Sequence, residues 1–477
     1  MNPARILRLL LGLVGVAFWG WTLVGAPPAG LSIDGWRTMG VAMLMGLFWV
    51  SEILPFSVTA LFPIVLLPAS GIGSIQSATA PYANPVIFLF LGGIFIAMAM
   101  ERTGLHRRIA LGIITCAGVK KHSVIGGFIA ASGFLSMWVT NTAVAVMLLP
   151  IAVSVLALFN VEDEPAFACA LLLSIAYGAN IGGMATLVGT PPNAIFAGFM
   201  EETHGVQVSF TGWLLMAGPL ALILLILSWL FLTRIGFSIK NNDLPGGRNL
   251  INSELQTIGQ MRPAERRVVI VFIATALLWV FRGTIEDWIP WLTDPGIAMI
   301  GGLSLFLLPE STWDSPKILS LHAIKKAPWD VFILIGGGLS LAYAVQTSGL
   351  ATWIGNQSTM IGSLPSPVVI GAITLLIVWL TEITSNSATT STFLPIAASL
   401  AIGINESPLF LGAAVALASS CAFMMPVATP TNAIVFGSGR IPFPKMMKAG
   451  LVLNIIAWLV ITNWLLWIAP RFSVMAL

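Results

Sequence analysis

Apolar and polar positions alternate along this chain on the scale of whole helices: long apolar stretches are separated by short polar ones. A helix needs about 17–25 apolar residues to cross a bilayer. Stretches at or near that length fall at 6–25, 36–50, 55–67 and 86–100, the second short and the third shorter. The next, 122–159, is interrupted at Thr140-Asn141-Thr142, and 165–200 is interrupted again at 189–193, before an unbroken stretch at 213–235. A polar segment, 236–267, carries Lys240, Asp243, Arg248, Glu254 and Arg262 and reads as a linker with a helical piece. The second half repeats the plan with 268–281, 291–308, 331–345, an interrupted 365–402, an interrupted 409–436 and a final 446–468.

The interruptions repeat in detail. Thr384-Ser385-Asn386-Ser387-Ala388 echoes Met137-Trp138-Val139-Thr140-Asn141-Thr142-Ala143, with Asn386 lying 245 positions after Asn141. At the same offset Gly92-Gly93 maps onto Gly337-Gly338, and Leu149-Pro150-Ile151-Ala152 onto Leu394-Pro395-Ile396-Ala397. A second pair, Gly189-Thr190-Pro191-Pro192-Asn193 and Ala428-Thr429-Pro430-Thr431-Asn432, is separated by 239. Each half thus holds two small polar knots in apolar surroundings, in the same order. The glycine pairs read as close-packing positions.

Composition settles the class. Of 477 residues, 57% are hydrophobic and 9% charged, against about 25% charged in a soluble domain, so the chain is a multi-span membrane protein. The first 25 residues, with Arg5 and Arg8 before an apolar core, read as an uncleaved first span, since the cleavage pattern is weak. Cys116, Cys169 and Cys421 are too scattered for a disulfide framework or metal site, and the four histidines, read as loop residues, show no ligand spacing. Nothing resembles a nucleophile elbow, a zinc helix or a phosphate loop, so an enzyme is not expected.

Charge gives the orientation. Basic residues gather after 86–100 (Arg102, Arg107, Arg108, Lys120, Lys121), after 213–235, before 331–345 and before 446–468, whereas 70–85 and 346–363 hold none. All basic loops share the cytoplasmic face only if the N-terminus is cytoplasmic and the stretches around Asn141 and Asn386 turn back as re-entrant hairpins. That arithmetic gives eleven spans, an external C-terminus and two repeats of opposite orientation, the pattern of a secondary transporter with its site near the midplane. The domains expected are scaffold spans at 1–85 and 268–330 and a cytoplasmic linker at 236–267. A first repeat, 86–235, carries the cytoplasmic-side hairpin 122–159, and a second, 331–477, carries the external-side hairpin 365–402.

The knots supply the chemistry. Pro191 and Pro430 each remove an amide donor and free a carbonyl; such carbonyls, with Ser, Thr and Asn oxygens, are hard ligands suited to Na⁺. Helices starting after Asn141, Asn193, Asn386 and Asn432 would offer loose N–H groups to a carboxylate. No Lys or Arg lies inside a knot, so an anion there would rely on amides, hydroxyls and co-bound cations. Glu382, beside Thr381, is an intramembrane acid with two readings: a functional group by default, or a brace holding the hairpin by hydrogen bonds.

At these knots the sequence resembles the divalent-anion/sodium symporter family (INDY-type dicarboxylate transporters), whose members carry a Ser-Asn-Thr motif at each hairpin tip. The resemblance implies an all-α elevator-type homodimer in the inner membrane, with a scaffold and a moving transport domain, carrying C4-dicarboxylates, citrate or sulfate with Na⁺. It implies one sodium site from Ser136, Thr140, Asn141 and Gly189, and another from Thr381, Ser385, Asn386 and Ala428. Substrate carboxylates would meet Asn141, Thr142, Asn386, Ser387, Thr429 and Pro430. Two positions depart from the motif: Thr140 keeps the hydroxyl, while Ser387 loses a methyl at the substrate wall. The short linker favours a carboxylate over sulfate. The expectation is a sodium-coupled importer of succinate, fumarate or malate, in contact with lipid and not with nucleic acid. A sodium-independent exchanger, a citrate or sulfate carrier and a passive anion channel are the alternatives.

Overall fold

The structure, a computed structural model, describes residues 3–157, 164–244, 253, 256–357 and 364–475. Regular structure among them is helical, with two isolated β-bridges, Lys120–Asp243 and Pro309–Lys317, and no strand. The first part of the chain forms α1 (Pro3–Val24), α2 (Ile33–Ser51), α3 (Phe56–Thr59), α4 (Phe62–Ala69), α5 (Ile75–Thr79) and α6 (Pro85–Thr103). Helices α7 (Leu105–Ala117), α8 (Lys121–Ser136), α9 (Asn141–Leu156), α10 (Pro165–Gly183), α11 (Pro191–His204) and α12 (Phe210–Leu230) complete the first half. The second half comprises α13 (Pro263–Val280), α14 (Arg282–Ile285), α15 (Asp294–Leu307), α16 (Leu321–Lys326) and α17 (Trp329–Thr347). It continues with α18 (Leu350–Gln357), α19 (Ser366–Leu380), α20 (Asn386–Gly403), α21 (Pro408–Ser419), α22 (Pro430–Phe436) and α23 (Phe443–Met475).

Among the described residues six helical stretches are long and apolar enough to cross a bilayer: Ile6–Val24, Ile75–Thr103, Pro165–Gly183, Phe210–Gly236, Trp329–Thr347 and Phe443–Ile468. Five shorter apolar stretches include both arms that follow or precede the hairpin tips, Asn141–Leu156 and Ser366–Leu380. Two stretches read as basic or uncharged loops are helices instead: α7 holds Arg107 and Arg108, and α18 occupies the matching place in the second half. Their polar faces hid an amphipathic period that a search for uninterrupted apolar runs passes over. The histidines also sit in helical ends rather than loops: His106 in α7, His122 in α8, His204 closing α11 and His322 in α16. The hairpin end at Phe159, the linker residues Arg248 and Glu254, and positions 358–363 lie outside the described residues. Within the linker, residues 256–258 are helical, and its first part is bonded to the base of α8, with the Lys121 amide donating to Asn242 O at 3.1 Å.

The halves interlock crosswise. Helix α9, the second arm of the first hairpin, packs on α22 of the second half, and α20, the second arm of the second hairpin, packs on α11 of the first. Elsewhere α8 lies against α10, α6 against α15, and α1 against α2. The glycine pairs serve that packing: a Cβ on Gly92 would overlap the backbone of Ala298, and one on Gly337 the backbone of Ala60. Small residues let helix backbones approach this closely in a bilayer. Gly92→Ala or Gly337→Ala is therefore expected to destabilise the fold by ~1–3 kcal/mol through overpacking, read as a lower melting temperature in detergent.

Candidate functional site

The two hairpin tips are built alike. Helix α8 ends at Ser136, four residues turn, and Thr140 caps α9 by accepting from the Ala143 amide at 3.4 Å. Asn141 then opens α9, and its Oδ1 accepts a hydrogen bond from the Ser136 hydroxyl. In the second half α19 ends at Leu380, Asn386 opens α20, and its Oδ1 accepts from Thr381 Oγ1 at 2.7 Å. Ser136 and Thr381 correspond at the 245-residue offset, so the same hydroxyl-to-asparagine bond recurs in both halves.

The broken helices are alike too. Helix α10 unwinds after Gly183 and α11 restarts at Pro191; α21 unwinds after Ser419 and α22 restarts at Pro430. Proline at the first helical position lacks an N–H that would have been unpaired anyway, which is why both helices restart there. The expectation that helices begin after Asn193 and Asn432 is thereby corrected: both residues lie inside the first turn. Their task is different. Asn193 Nδ2 donates to Gly183 O at 3.1 Å, Met184 O at 3.2 Å and Thr186 O at 2.7 Å. Asn432 Nδ2 donates to Ala422 O and Met425 O, both at 3.0 Å. Buried backbone carbonyls need partners, and in each half one asparagine amide fastens those that unwinding sets free. Helix α22, at seven residues, is also too short to carry much of a dipole.

One cavity of about 1260 Å³ collects the knots. Thr140, Asn141, Thr142, Gly189, Ser385, Asn386, Ser387, Ala428, Thr429 and Pro430 all line it. The remaining two expected site residues, Ser136 and Thr381, stand behind this wall, buried and bonded to the tip asparagines. The cavity also reaches Arg8 of α1, Glu52 at the end of α2 and Asp330 at the start of α17. Among the described residues Arg8 is the one cation along its lining; it pairs with Glu52 at 3.5 Å, both side chains about half exposed. The depth of the cavity therefore offers an anion no basic side chain.

Glu382 takes the second of its two readings. It is 2% exposed, and its carboxylate accepts from the amides of Phe423 (2.7 Å), Met424 (2.9 Å) and Met425 (2.9 Å) and from Asn454 Nδ2 (2.7 Å). It ties the second hairpin to the unwound segment beside it. The matching position in the first half is Met137, whose carbonyl accepts a single bond from Thr186 Oγ1 at 2.5 Å. Three further residues have roles that the sequence does not show. Asn180, in the apolar run of α10, lines the cavity; Asn454, on α23, completes the Glu382 shell; and Trp138, in the first tip, stacks with Phe210 and Trp279. A lone polar residue in a membrane helix was the only signal for the first two.

Gly183 and Gly189 pack against each other beneath the first tip. A Cβ on Gly183 would come within 2.8 Å of Asn141 Oδ1 and 3.3 Å of Gly189 O. If sodium binds at Asn141 and Gly189, as the resemblance implies, Gly183→Ala should displace those oxygens and raise the half-saturating sodium concentration about tenfold, a loss of ~1.4 kcal/mol in affinity. Sodium titration of uptake checks this, and an unaltered titration would separate Gly183 from the ion site.

An all-helical, multi-span membrane protein with two broken helices and two hairpin tips around one cavity has the architecture of a transporter. Residues 7–472 match the family described as sodium:sulfate symporter transmembrane region, and the chain belongs to this family of divalent-anion/sodium symporters. Membership makes it a transporter rather than an enzyme, and the family's description names sodium as the coupled ion. A sodium-dependent dicarboxylate transporter of Staphylococcus saprophyticus is 38% identical over 98% of this chain and 93% of its own length. Its Staphylococcus aureus counterpart is 36% identical over 97% and 91%. In fold, the chain is similar to the YdaH transporter of Alcanivorax borkumensis (TM-score 0.59, 14% identity, 97% and 98% covered). MtrF of Neisseria gonorrhoeae gives a TM-score of 0.58 at 11% identity, with 98% and 94% covered.

Proposed function

We propose that this chain is a sodium-coupled importer of small dicarboxylates such as succinate, fumarate or malate across the inner membrane. The observation that carries the reading is the shared cavity: both tip asparagines, each accepting from a hydroxyl behind it, line it together with both unwound segments. The dicarboxylate follows from two relatives above one-third identity that bear that description, and from two look-alike ends suited to a ligand with a carboxylate at each end. With no basic side chain at depth, sodium at Ser136, Thr140, Asn141 and Gly189, and at Thr381, Ser385, Asn386 and Ala428, would neutralise the dianion. Two sodium ions per dianion make an electroneutral load; a third would couple transport to voltage by ~2.3 kcal/mol per 100 mV.

In this reading the halves are inverted repeats with re-entrant hairpins in an eleven-span homodimer. The N-terminus is cytoplasmic, and a transport domain moves against a scaffold. The cavity reaches Arg8 near the start of α1 and Glu52 at the end of α2, so under that orientation it opens inward. The test is uptake of labelled succinate into proteoliposomes. Uptake driven by an inward sodium gradient is expected; uptake indifferent to sodium would replace symport by exchange, and non-saturable flux would replace it by a channel.

A further inference from the structure

We propose that Asn180 is a specificity-determining positioning residue that removes the Thr429 hydroxyl proton from the reach of the substrate, an inference that rests on the reading of this cavity as a dicarboxylate site. Asn180 lies on α10 of the first half, is 1% exposed, and reaches across to the unwound segment of the second. Its Nδ2 donates to Ala422 O at 3.2 Å; a carbonyl can only accept, so the amide's orientation is fixed and Oδ1 points the other way. Oδ1 accepts from Thr431 Oγ1 at 2.8 Å. A threonine hydroxyl has one proton, and that of Thr431 is used there. In the 2.8 Å contact between the Thr429 and Thr431 hydroxyls the donor must then be Thr429. Asn180 Nδ2 closes the ring on Thr429 Oγ1 at 3.4 Å, and the Asn432 amide donates to the same oxygen at 3.2 Å.

The Thr429 hydroxyl is thus filled: its proton goes to Thr431 and its lone pairs take two N–H groups. Such closed chains strengthen cooperatively in a low-dielectric interior. The cavity wall at Thr429 offers the ligand no hydroxyl donor. At the matching positions of the first half no such ring forms. At the 239-residue offset Ser419 replaces Asn180 and bonds its own helix at Val415 O (2.7 Å), Pro192 replaces Thr431, and Thr190 makes no side-chain cap. The two ends of an otherwise repeated site therefore differ. A ligand with an extra acceptor, such as a 2-hydroxy dicarboxylate or a tricarboxylate, gains nothing at the Thr429 end that a plain C4 dicarboxylate lacks.

Breaking the ring frees the proton. Asn180→Ala and Thr431→Val should each lower the half-inhibitory concentration of malate and of citrate, relative to unlabelled succinate, by about fivefold to tenfold, the worth of one ordinary hydrogen bond. The assay is competition against labelled succinate uptake in proteoliposomes; for a variant that no longer transports, displacement of labelled succinate from the purified protein reads the same ratio. Adding Thr429→Val to Asn180→Ala should return the ratio to its wild-type value. A merely structural role would depress all substrates alike. Ratios within about twofold of wild type in both single variants, or a shift that survives Thr429→Val, would overturn the inference. A wild-type protein that takes up no succinate with sodium would instead overturn the reading beneath it, and the inference with it.

Discussion

Asn141→Ala and Asn386→Ala are each expected to abolish sodium-driven dicarboxylate uptake, by at least about a hundredfold, in protein that still folds. Both side chains line the cavity at the first residue of a helix and are only partly buried. Each is the one place where the substrate and sodium assignments meet. Truncation removes a side chain that the hydroxyl of Ser136 or Thr381 holds in place, and a site that hydrogen-bonds its ligand discriminates most strongly through such groups. The cost in stability should be small, on the order of 1 kcal/mol for one hydrogen bond; Thr381 keeps a second partner in Ser419 O at 2.8 Å. Initial rates of succinate uptake, with gel-filtration profiles of the purified variants, check the two halves of the statement. Normal uptake by either variant would remove that asparagine from the site.

Glu382→Ala carries the largest expected effect on stability. The substitution would leave the amides of residues 423–425 and the Asn454 side chain facing an apolar gap. Each buried donor left without its acceptor costs about 1–3 kcal/mol, so a large fall in melting temperature should accompany loss of uptake. Glu382→Gln keeps the shape but turns an NH₂ group toward amide donors, and should lie between wild type and Ala. The first half has no equivalent brace: Met137 stands in place of Glu382. A Glu382→Ala variant as stable as wild type yet inactive would return the residue to a direct role in transport.

How much of this was legible in the sequence depends on distance along the chain. Thr140-Asn141-Thr142 and Thr384-Ser385-Asn386-Ser387 announced themselves because a polar knot in an apolar run has a local cost that demands a local reason. The repeat offset then paired them without any structure. The breaks are legible but shifted: the unwound stretch of the first half precedes Pro191 instead of spanning it over 189–193, because proline reads equally as a helix breaker and a helix starter. In the sequence Asn193 and Asn432 read as boundary residues, since nothing local tells a capping asparagine from one that reaches back to fasten carbonyls seven to ten residues earlier. Asn180 and Asn454 were missed because their partners lie 242 and 72 positions away. No periodicity encodes such contacts. Glu382 has two readings in the sequence for the same reason: its solvation shell comes from a segment that only the fold brings near.

The most direct measurement is equilibrium binding of labelled succinate to the purified protein across a sodium titration, with choline replacing sodium at constant ionic strength. If alkali ions stand in for absent basic side chains, affinity should vanish without sodium and rise with a log–log slope of about two or more, by linkage. Tight binding in choline alone, with a slope near zero, would contradict the account.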